Sequence, residues 1–471
     1  MYNAGVDFMK EYPKPIVCPR EKHCVSRKNI DPDALSVLYR LSNSGFVAYL
    51  VGGGVRDILL GRAPKDFDVA TNAHPGQIRR LFRNAFLIGR RFRLALIKFG
   101  DKQIETSTFR RQPEQEEVGD EGRVGALYQE EDNYFGSPAD DAWRRDFTVN
   151  GLFYDIQTFA VIDYVGGLKD LQKKVLRCIG DPNIRFREDP VRMMRAVRFA
   201  ARLDFKIHKE SVKAIEQHYP EITQASKPRL YEETMKLFGY GTAQEAFRQL
   251  WTTRLTQAML PVLHDFIQNS GKKRSILWEY LRRFDEHAEE TAAADTATRV
   301  AVLLCPLYLE RMNRLQKHGV HVSADTEAEH TVMEAFSDAF VANTWRIPKA
   351  VAYGAASMLA AQRHFDERDP AMRRSRVFAH DWFAGALLLY TIRMRVTKGD
   401  EKDVALWHDA YADFLSRPQP PPDLDADPNA DPNADLGHRR RPRYRRHRRR
   451  GRGGRDHGGE RSHDFHNDKP E

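Results

Sequence analysis

Two carboxylates one residue apart, Asp66 and Asp68 in Lys65-Asp66-Phe67-Asp68-Val69-Ala70, follow closely on the glycine run Gly52-Gly53-Gly54. In an extended chain, residues 66 and 68 face one way while Phe67 and Val69 face the other. Carboxylates so placed can bridge two Mg²⁺ ions roughly 3.5–4 Å apart, the spacing that in-line phosphoryl displacement uses. The glycines allow backbone N–H groups to approach an anion closely, which suits a triphosphate. Alone, the glycine run is a tight turn and the acid pair a solvated strand end. In this order and spacing they point to metal-dependent nucleotidyl transfer.

Two-metal sites usually want a third acid. Glu105, in Ile104-Glu105-Thr106, and Asp146, in Arg144-Arg145-Asp146-Phe147-Thr148-Val149-Asn150, are the two candidates. An edge-strand acid and a helix cap are their competing readings. A second constellation is Glu188-Asp189-Pro190-Val191-Arg192-Met193-Met194-Arg195. Helical spacing sets Asp189, Arg192 and Arg195 one turn apart on a single face. As a mere helix-face ion pair this would be worth under about 1 kcal/mol. As a recognition device, a carboxylate accepting from an exocyclic amine beside a guanidinium donating to a ring nitrogen matches the edge of adenine or cytosine. Guanine and uracil present the reverse polarity and would strand buried groups at a cost of ~1–3 kcal/mol each.

The elements that must position these residues follow from patterning. Phe46 to Val51 is an apolar run of strand length, Val55 to Leu60 a short helix stopped by Gly61, and Lys65 to Ala70 the acid-bearing strand. His74-Pro75 opens a helix through Phe82, and Ala85 to Phe99 turns at Gly100-Asp101 into a strand through Phe109. Gln112 to Tyr134 is rich in Glu, Gly and Gln and predicts a surface loop. Leu152 to Tyr164 closes this unit. From Asp170 strand signals fade. Asp189 is expected to N-cap a helix with Pro190 at its first position, running to Leu203, and helical periods continue to about Arg417.

The fold class expected is therefore α+β: a small mixed-sheet head, an all-helical neck and body, and a disordered basic C-terminal tail. The boundaries are an N-terminal arm over 1–30, a head over 31–169, a neck over 170–240, a body over 241–417, and an acidic linker with arginine-rich tail over 418–471.

The chain has 471 residues, 41% hydrophobic and 30% charged, enough for sizeable cores. No apolar run approaches the ~18–20 residues of a membrane span, and the polar start lacks the core of a signal peptide. A cytoplasmic home is expected. Cys18, Cys24, Cys178 and Cys305 lack metal-ligand spacing and read as free thiols in a reducing compartment. The formal net charge is +9, yet eleven arginines lie between Arg439 and Arg455, so the remainder is slightly acidic. Basicity belongs to one tail. Its core, Arg439, Arg440, Arg441, Arg443, Arg445, Arg446, Arg448, Arg449 and Arg450, together with Tyr444, suits sequence-indifferent contact with RNA phosphates.

These motifs resemble the class II branch of the polymerase-beta-like nucleotidyltransferases, which holds CCA-adding enzymes and bacterial poly(A) polymerases. The likeness spans about Val17 to Tyr240 and rests on Gly53-Gly54-Val55-Arg56-Asp57, Asp66-Phe67-Asp68, Arg144 to Asn150, Gly180-Asp181-Pro182 and Glu188-Asp189-Pro190-Val191-Arg192, in the family's order. It implies a catalytic head, a neck that reads the base, and a body that holds RNA. It further implies that Gly53, Gly54 and Arg56 contact the triphosphate, that Asp66 and Asp68 hold Mg²⁺, that Arg145 and Asp146 act beside ribose and metals, and that Asp189, Arg192 and Arg195 handle the base. Ile88-Gly89-Arg90-Arg91-Phe92-Arg93-Leu94-Ala95 resembles the bacterial poly(A) polymerase form.

The expected activity is template-independent addition of AMP from ATP to RNA 3′ ends with release of pyrophosphate, using Mg²⁺ and no DNA partner. The alternatives are a CCA-adding tRNA nucleotidyltransferase and a non-catalytic RNA-binding protein of the same fold.

Overall fold

The strand-forming runs pair into one eight-stranded mixed sheet in a computed structural model that describes residues 12–89, 94–111, 134–269, 274–287, 294–337, 347–366 and 376–417. Its strands are β1 (Ile16–Cys18), β2 (Ala48–Val51), β3 (Asp68–Thr71), β4 (Ala85–Ile88), β5 (Leu94–Phe99), β6 (Lys102–Thr108), β7 (Leu152–Asp155) and β8 (Val161–Asp163). They lie in the order β1-β8-β7-β2-β3-β6-β5-β4. The β3–β6 pair is parallel and the other pairings are antiparallel. The parallel register sets Asp68 opposite Glu105. That pairing is the main contribution of the sheet to the site.

Three details differ from the pattern reading. β3 begins at Asp68, so Asp66 lies in the segment just ahead of the strand. The first helix after the glycines, α2 (Gly53–Leu59), starts two residues early, because Gly52 at φ 72° turns the chain directly out of β2 into helical geometry. The N-terminal arm is also partly built into the head: β1 pairs with β8 at the sheet edge, and Val25 and Ile30 are buried.

Helix α1 (Pro32–Asn43) buries Ala34, Val37, Leu38 and Leu41 against the sheet, with Asp31 accepting from the Asp33 N–H at 2.8 Å as its N-cap. Helix α3 (Pro75–Leu81) follows His74-Pro75 as expected. Helix α4 (Pro138–Trp143) escaped the pattern reading, although Ser137 and Asp140 form a reciprocal cap. α5 (Gly167–Gln172) is anchored by Asp163, whose carboxylate accepts from four successive backbone N–H groups, those of residues 165–168.

Strand character does not end at residue 170, since β9 (Val175–Leu176) and β10 (Lys206–Ile207) form a small parallel pair. Around it stand α6 (Pro182–Glu188), α7 (Val191–Leu203), α8 (Lys209–His218) and α9 (Lys227–Lys236). α7 starts one residue later than predicted, with Pro190 rather than Asp189 at its N-cap. The later part of the chain is helical: α10 (Ala243–Thr252), α11 (Leu255–Met259), α12 (Pro261–Asn269), α13 (Arg274–Glu286), α14 (Thr296–Lys317), α15 (Ala324–Ser337), α16 (Lys349–Asp366), α17 (Phe383–Thr397) and α18 (Glu401–Ser416). No helix among the described residues is long and apolar enough to cross a membrane. The four cysteines are free.

Contacts group residues 1–414 into one unit and 415–471 into another. Several sequence expectations lie outside the described residues: Arg90 to Arg93 of the polymerase-like element, the loop from Gln112 up to Tyr134, and the linker and arginine tail from Pro418 onward.

Candidate active site

A cleft of about 1010 Å³ opens where the sheet faces α7 and α9. Gly53, Gly54, Arg56, Asp66, Asp68, Glu105, Arg145, Asp146, Asp189, Arg192 and Arg195 all line it. Residues scattered over 143 positions of sequence thus converge on one volume, and the arginine tail is the part of the expected site that lies outside the described residues.

At the sheet end, Gly52 makes the turn in a conformation that other residues rarely adopt. A Cβ there would lie 2.9 Å from Arg145 Nη1, and φ is already in the left-handed region. Gly54 packs the start of α2 on the acid segment, with a Cβ position 3.4 Å from the Asp66 carbonyl oxygen. The three acids of this end have no hydrogen-bond or ion-pair partner among the described residues. Burial pushes the Asp68 carboxyl above its usual range; the nearby Arg145 opposes that and the Asp66 charge reinforces it. Glu105 is likewise raised, by desolvation first and then by the Asp68 and Asp66 charges. Mutually repelling, unpaired carboxylates in one cleft are a donor set that a divalent cation would satisfy. No three such side chains among the described residues converge at direct ligand distance. Mg²⁺ characteristically needs only one or two protein carboxylates alongside substrate phosphates and water.

Asp146 sits differently. It accepts from the Phe147 N–H (2.8 Å), Asn150 Nδ2 (3.0 Å) and two nitrogens of Arg195 (2.9 and 2.6 Å). Although burial opposes ionisation, the Arg195 guanidinium and these donors hold its carboxyl at about 2. Between the two candidate third acids, Glu105 is unpaired beside Asp68, while Asp146 is saturated and holds an arginine.

The arginines are also tied. Arg56 is 1% exposed; its Nε donates to Asp57 at 2.8 Å and its Nη1 to the Asn150 side chain. Arg145 is gripped by the buried Asp141 at 2.8 and 3.2 Å and stacks over Phe153. Asp189 and Arg192, expected on one helix face, meet other partners than each other. Asp189 takes a bidentate bond from Arg229 (3.0 and 2.8 Å), and Arg192 meets Glu188 at 3.3 Å.

Pattern reading stopped at Arg195, but the arginine spacing continues along α7. Arg198 pairs with Glu233 at 2.8 Å and Arg202 with Asp57 at 2.8 Å. The guanidiniums of Arg56, Arg195 and Arg198 all lie within about 5.2 Å of the Phe199 ring centroid. The recurrence at 192, 195, 198 and 202 was the available signal. Asp141 had an i,i+4 spacing to Arg145, whereas Arg229 and Glu233 had no signal, since only folding brings them to Asp189 and to Arg198.

Paired carboxylates against a glycine turn, on a mixed sheet facing an arginine-lined helix, define a nucleotidyltransferase. The family model described as "Poly A polymerase head domain" matches residues 48–177, and that described as "Probable RNA and SrmB- binding site of polymerase A" matches residues 204–267. Poly(A) polymerase I of Salmonella typhi is 38% identical over 445 residues, covering 92% of this chain and 93% of that protein. A CCA-adding enzyme of Streptococcus uberis is 35% identical over 256 residues, 54% of this chain and 59% of its own. The crystal structure of the Bacillus stearothermophilus CCA-adding enzyme in complex with CTP superposes with a TM-score of 0.59 at 26% identity, over 82% of this chain and 83% of that one. The chain belongs to the poly(A) polymerase family, within the nucleotidyltransferases that also include the CCA-adding enzymes. The resemblance and fold class read from the motifs are both borne out.

Proposed function

We propose that the protein is a template-independent poly(A) polymerase. The 3′-hydroxyl oxygen of RNA attacks the α-phosphorus of ATP, the bond to the β-phosphate oxygen breaks, AMP joins the RNA, and pyrophosphate leaves as the hydroxyl proton passes to solvent. The observation that carries this reading is similarity to poly(A) polymerase I over 92% of the chain, body included, against 54% for the CCA-adding relative.

In this reading Asp66 and Asp68 would hold Mg²⁺, with Glu105 beside Asp68 facing the ion or its water shell. When bound, the ion would lower the pKa of the attacking hydroxyl and neutralise charge on the phosphate oxygens. Gly53 and Gly54 leave room for the triphosphate. Arg56 contributes by fixing that loop through Asp57 and Asn150. Arg145 supplies positive charge beside Asp68, and Asp146 holds Arg195 towards the nucleotide. Asp189 and Arg192 read the base, with Arg229 orienting Asp189. The scattered free thiols accord with work in the cytoplasm.

The deciding assay is extension of a non-tRNA oligomer with Mg²⁺ and each ribonucleotide separately. A long ladder with ATP alone is expected; CTP-dependent addition to a truncated tRNA would place the protein with the CCA-adding enzymes, and RNA binding without extension would mark a non-catalytic relative. Asp189→Ala should erode the preference for ATP over GTP by about 5- to 150-fold, the equivalent of one stranded polar group. Competition between the two triphosphates measures it. Deletion of residues 439–471 should weaken RNA binding and flatten its dependence on salt while leaving nucleotide choice unchanged, since arginine–phosphate contacts release counterions. Filter binding across a salt series reads the slope.

A further inference from the structure

Tyr240 is a conspicuous residue on the cleft wall. It is 54% exposed, lines the cleft, and adopts φ 65° between Gly239 and Gly241. A bulky side chain in the left-handed region is a backbone outlier costing about 1–3 kcal/mol, which persists where the surroundings impose it. Glycine would satisfy that φ without strain, so the ring is kept at a cost. Its orientation is fixed from behind. Arg202 lies 4.1 Å from the ring centroid and is itself anchored by Asp57 at 2.8 Å. One face of the tyrosine is therefore backed by a guanidinium, on a side chain that projects into a cleft lined with cations.

Arg299, from α14 of the body, reaches the same cleft. Its Nη1 donates to the Met235 carbonyl at 3.4 Å, at the end of the helix that leads into the Tyr240 turn. Its buried Nε has no hydrogen-bond partner, and it has no carboxylate partner among the described residues. The cleft arginines on α7 each have an acid; Arg299 is a cation presented without one, which calls for an anion from outside the chain.

The two residues stand apart from the base-reading end. Arg192 and Arg202 are about 15 Å apart along α7 at about 1.5 Å per residue, so the ring does not touch a base held at Asp189. Pyrophosphate has no ring to stack. What combines a π-face with a phosphate, and is not the incoming nucleotide, is a nucleotide of the RNA.

We propose that Tyr240 and Arg299 form the subsite for the 3′-terminal nucleotide of the RNA, the ring stacking on its base and the guanidinium binding its phosphate. This rests on the polymerase reading above and adds where the accepting strand is gripped. Stacking is indifferent to base identity, so the subsite takes any 3′ end and equally the adenylate just added.

The test is steady-state extension by the full-length protein, varying RNA oligomer at saturating ATP and then ATP at saturating RNA. Wild-type extension with ATP is the prior condition; its failure would remove the polymerase reading and not this subsite alone. Tyr240→Gly and Arg299→Ala should each raise KM for RNA by about five-fold or more, the low end of what a base–aromatic stack contributes. KM for ATP should stay within two-fold, roughly. Tyr240→Phe keeps the stacking face and should behave as wild type, and Arg299→Lys should recover part of the loss. Melting temperatures of the Gly and Ala variants near wild type would separate the effect from misfolding. Unchanged KM for RNA in both variants would overturn the subsite, as would an equal rise in KM for ATP or failure of Tyr240→Phe to restore RNA affinity.

Discussion

Asp68→Ala is expected to lower the rate of AMP addition by about a thousand-fold or more, on the scale of removing a group that holds metal or transition-state charge. The expectation comes from the sheet. Parallel pairing of β3 with β6 sets Asp68 opposite Glu105, and the pleat turns both toward the cleft that Asp66 also lines. At neither Asp68 nor Glu105 does the protein favour the anion on balance: burial raises both, Arg145 only partly offsets this at Asp68, and neighbouring carboxylates add to it, Asp66 at Asp68 and both Asp68 and Asp66 at Glu105. A carboxyl whose folded-state pKa is raised weakens the fold at pH values above it, so removing the charge should leave stability unchanged or increase it. The signature is therefore loss of activity with no fall in melting temperature. Primer extension and thermal unfolding on the same preparation read both, and activity within ten-fold of wild type, roughly, would count against metal binding at Asp68.

Asp146→Ala is expected to be damaging in the opposite sense, through the fold. Asp146 is nearly fully buried and accepts four hydrogen bonds, two of them from Arg195. Alanine would leave that guanidinium only the more distant Glu233, at 3.6 Å, and would unpair Asn150, which places the loss of stability near the low end of about 3–5 kcal/mol, with activity falling as Arg195 loses its position. The same carboxyl supplies a pH signature. Its folded pKa lies at about 2, below the ordinary 3.8, so its contribution is fully present above roughly pH 4 and is lost as pH falls toward 2. The shift corresponds to about 2–2.5 kcal/mol. Asp146→Asn should therefore unfold with a shallower acid limb than wild type, measured as urea midpoints between roughly pH 2 and 5. An unaltered limb would show that this ion pair contributes little.

Much of this site was legible because its chemistry is carried by short contiguous runs. Strand alternation placed Asp68, and the glycine run predicted the turn into α2. The residues that hold the chemistry in place were less legible. Asp141 grips Arg145 from a helix that pattern reading missed, and Arg229 reaches Asp189 across 40 positions. The first pairing is an i,i+4 spacing that only recognition of that helix would have exposed, and the second has no periodic trace. Asp189 was expected to cap α7 on the same face as Arg192, an ion pair between the two being the competing reading. Tertiary contact supplied Arg229, a fork that matches a carboxylate in two bonds where a one-turn helix neighbour offers less. Asp146 and Glu105 looked equivalent as acids near the motif; the difference between a saturated and an unpaired carboxylate exists only once the chain has folded.

The four arginines of α7 have a consequence for how this protein can be dissected. Arg192, Arg195, Arg198 and Arg202 meet Glu188, Asp146, Glu233 and Asp57, acids drawn from four separate stretches of chain, and Glu233 also lies 3.6 Å from Arg195. Each truncation frees an acid that neighbouring guanidiniums can reach, so single-site losses are not separable quantities. An alanine scan along α7 will not sum to what the helix is worth, and the residues will rank by what their abandoned partners find to do. Apportioning that energy takes paired deletions, rung with rung, in which the coupling and not the loss is the measured number.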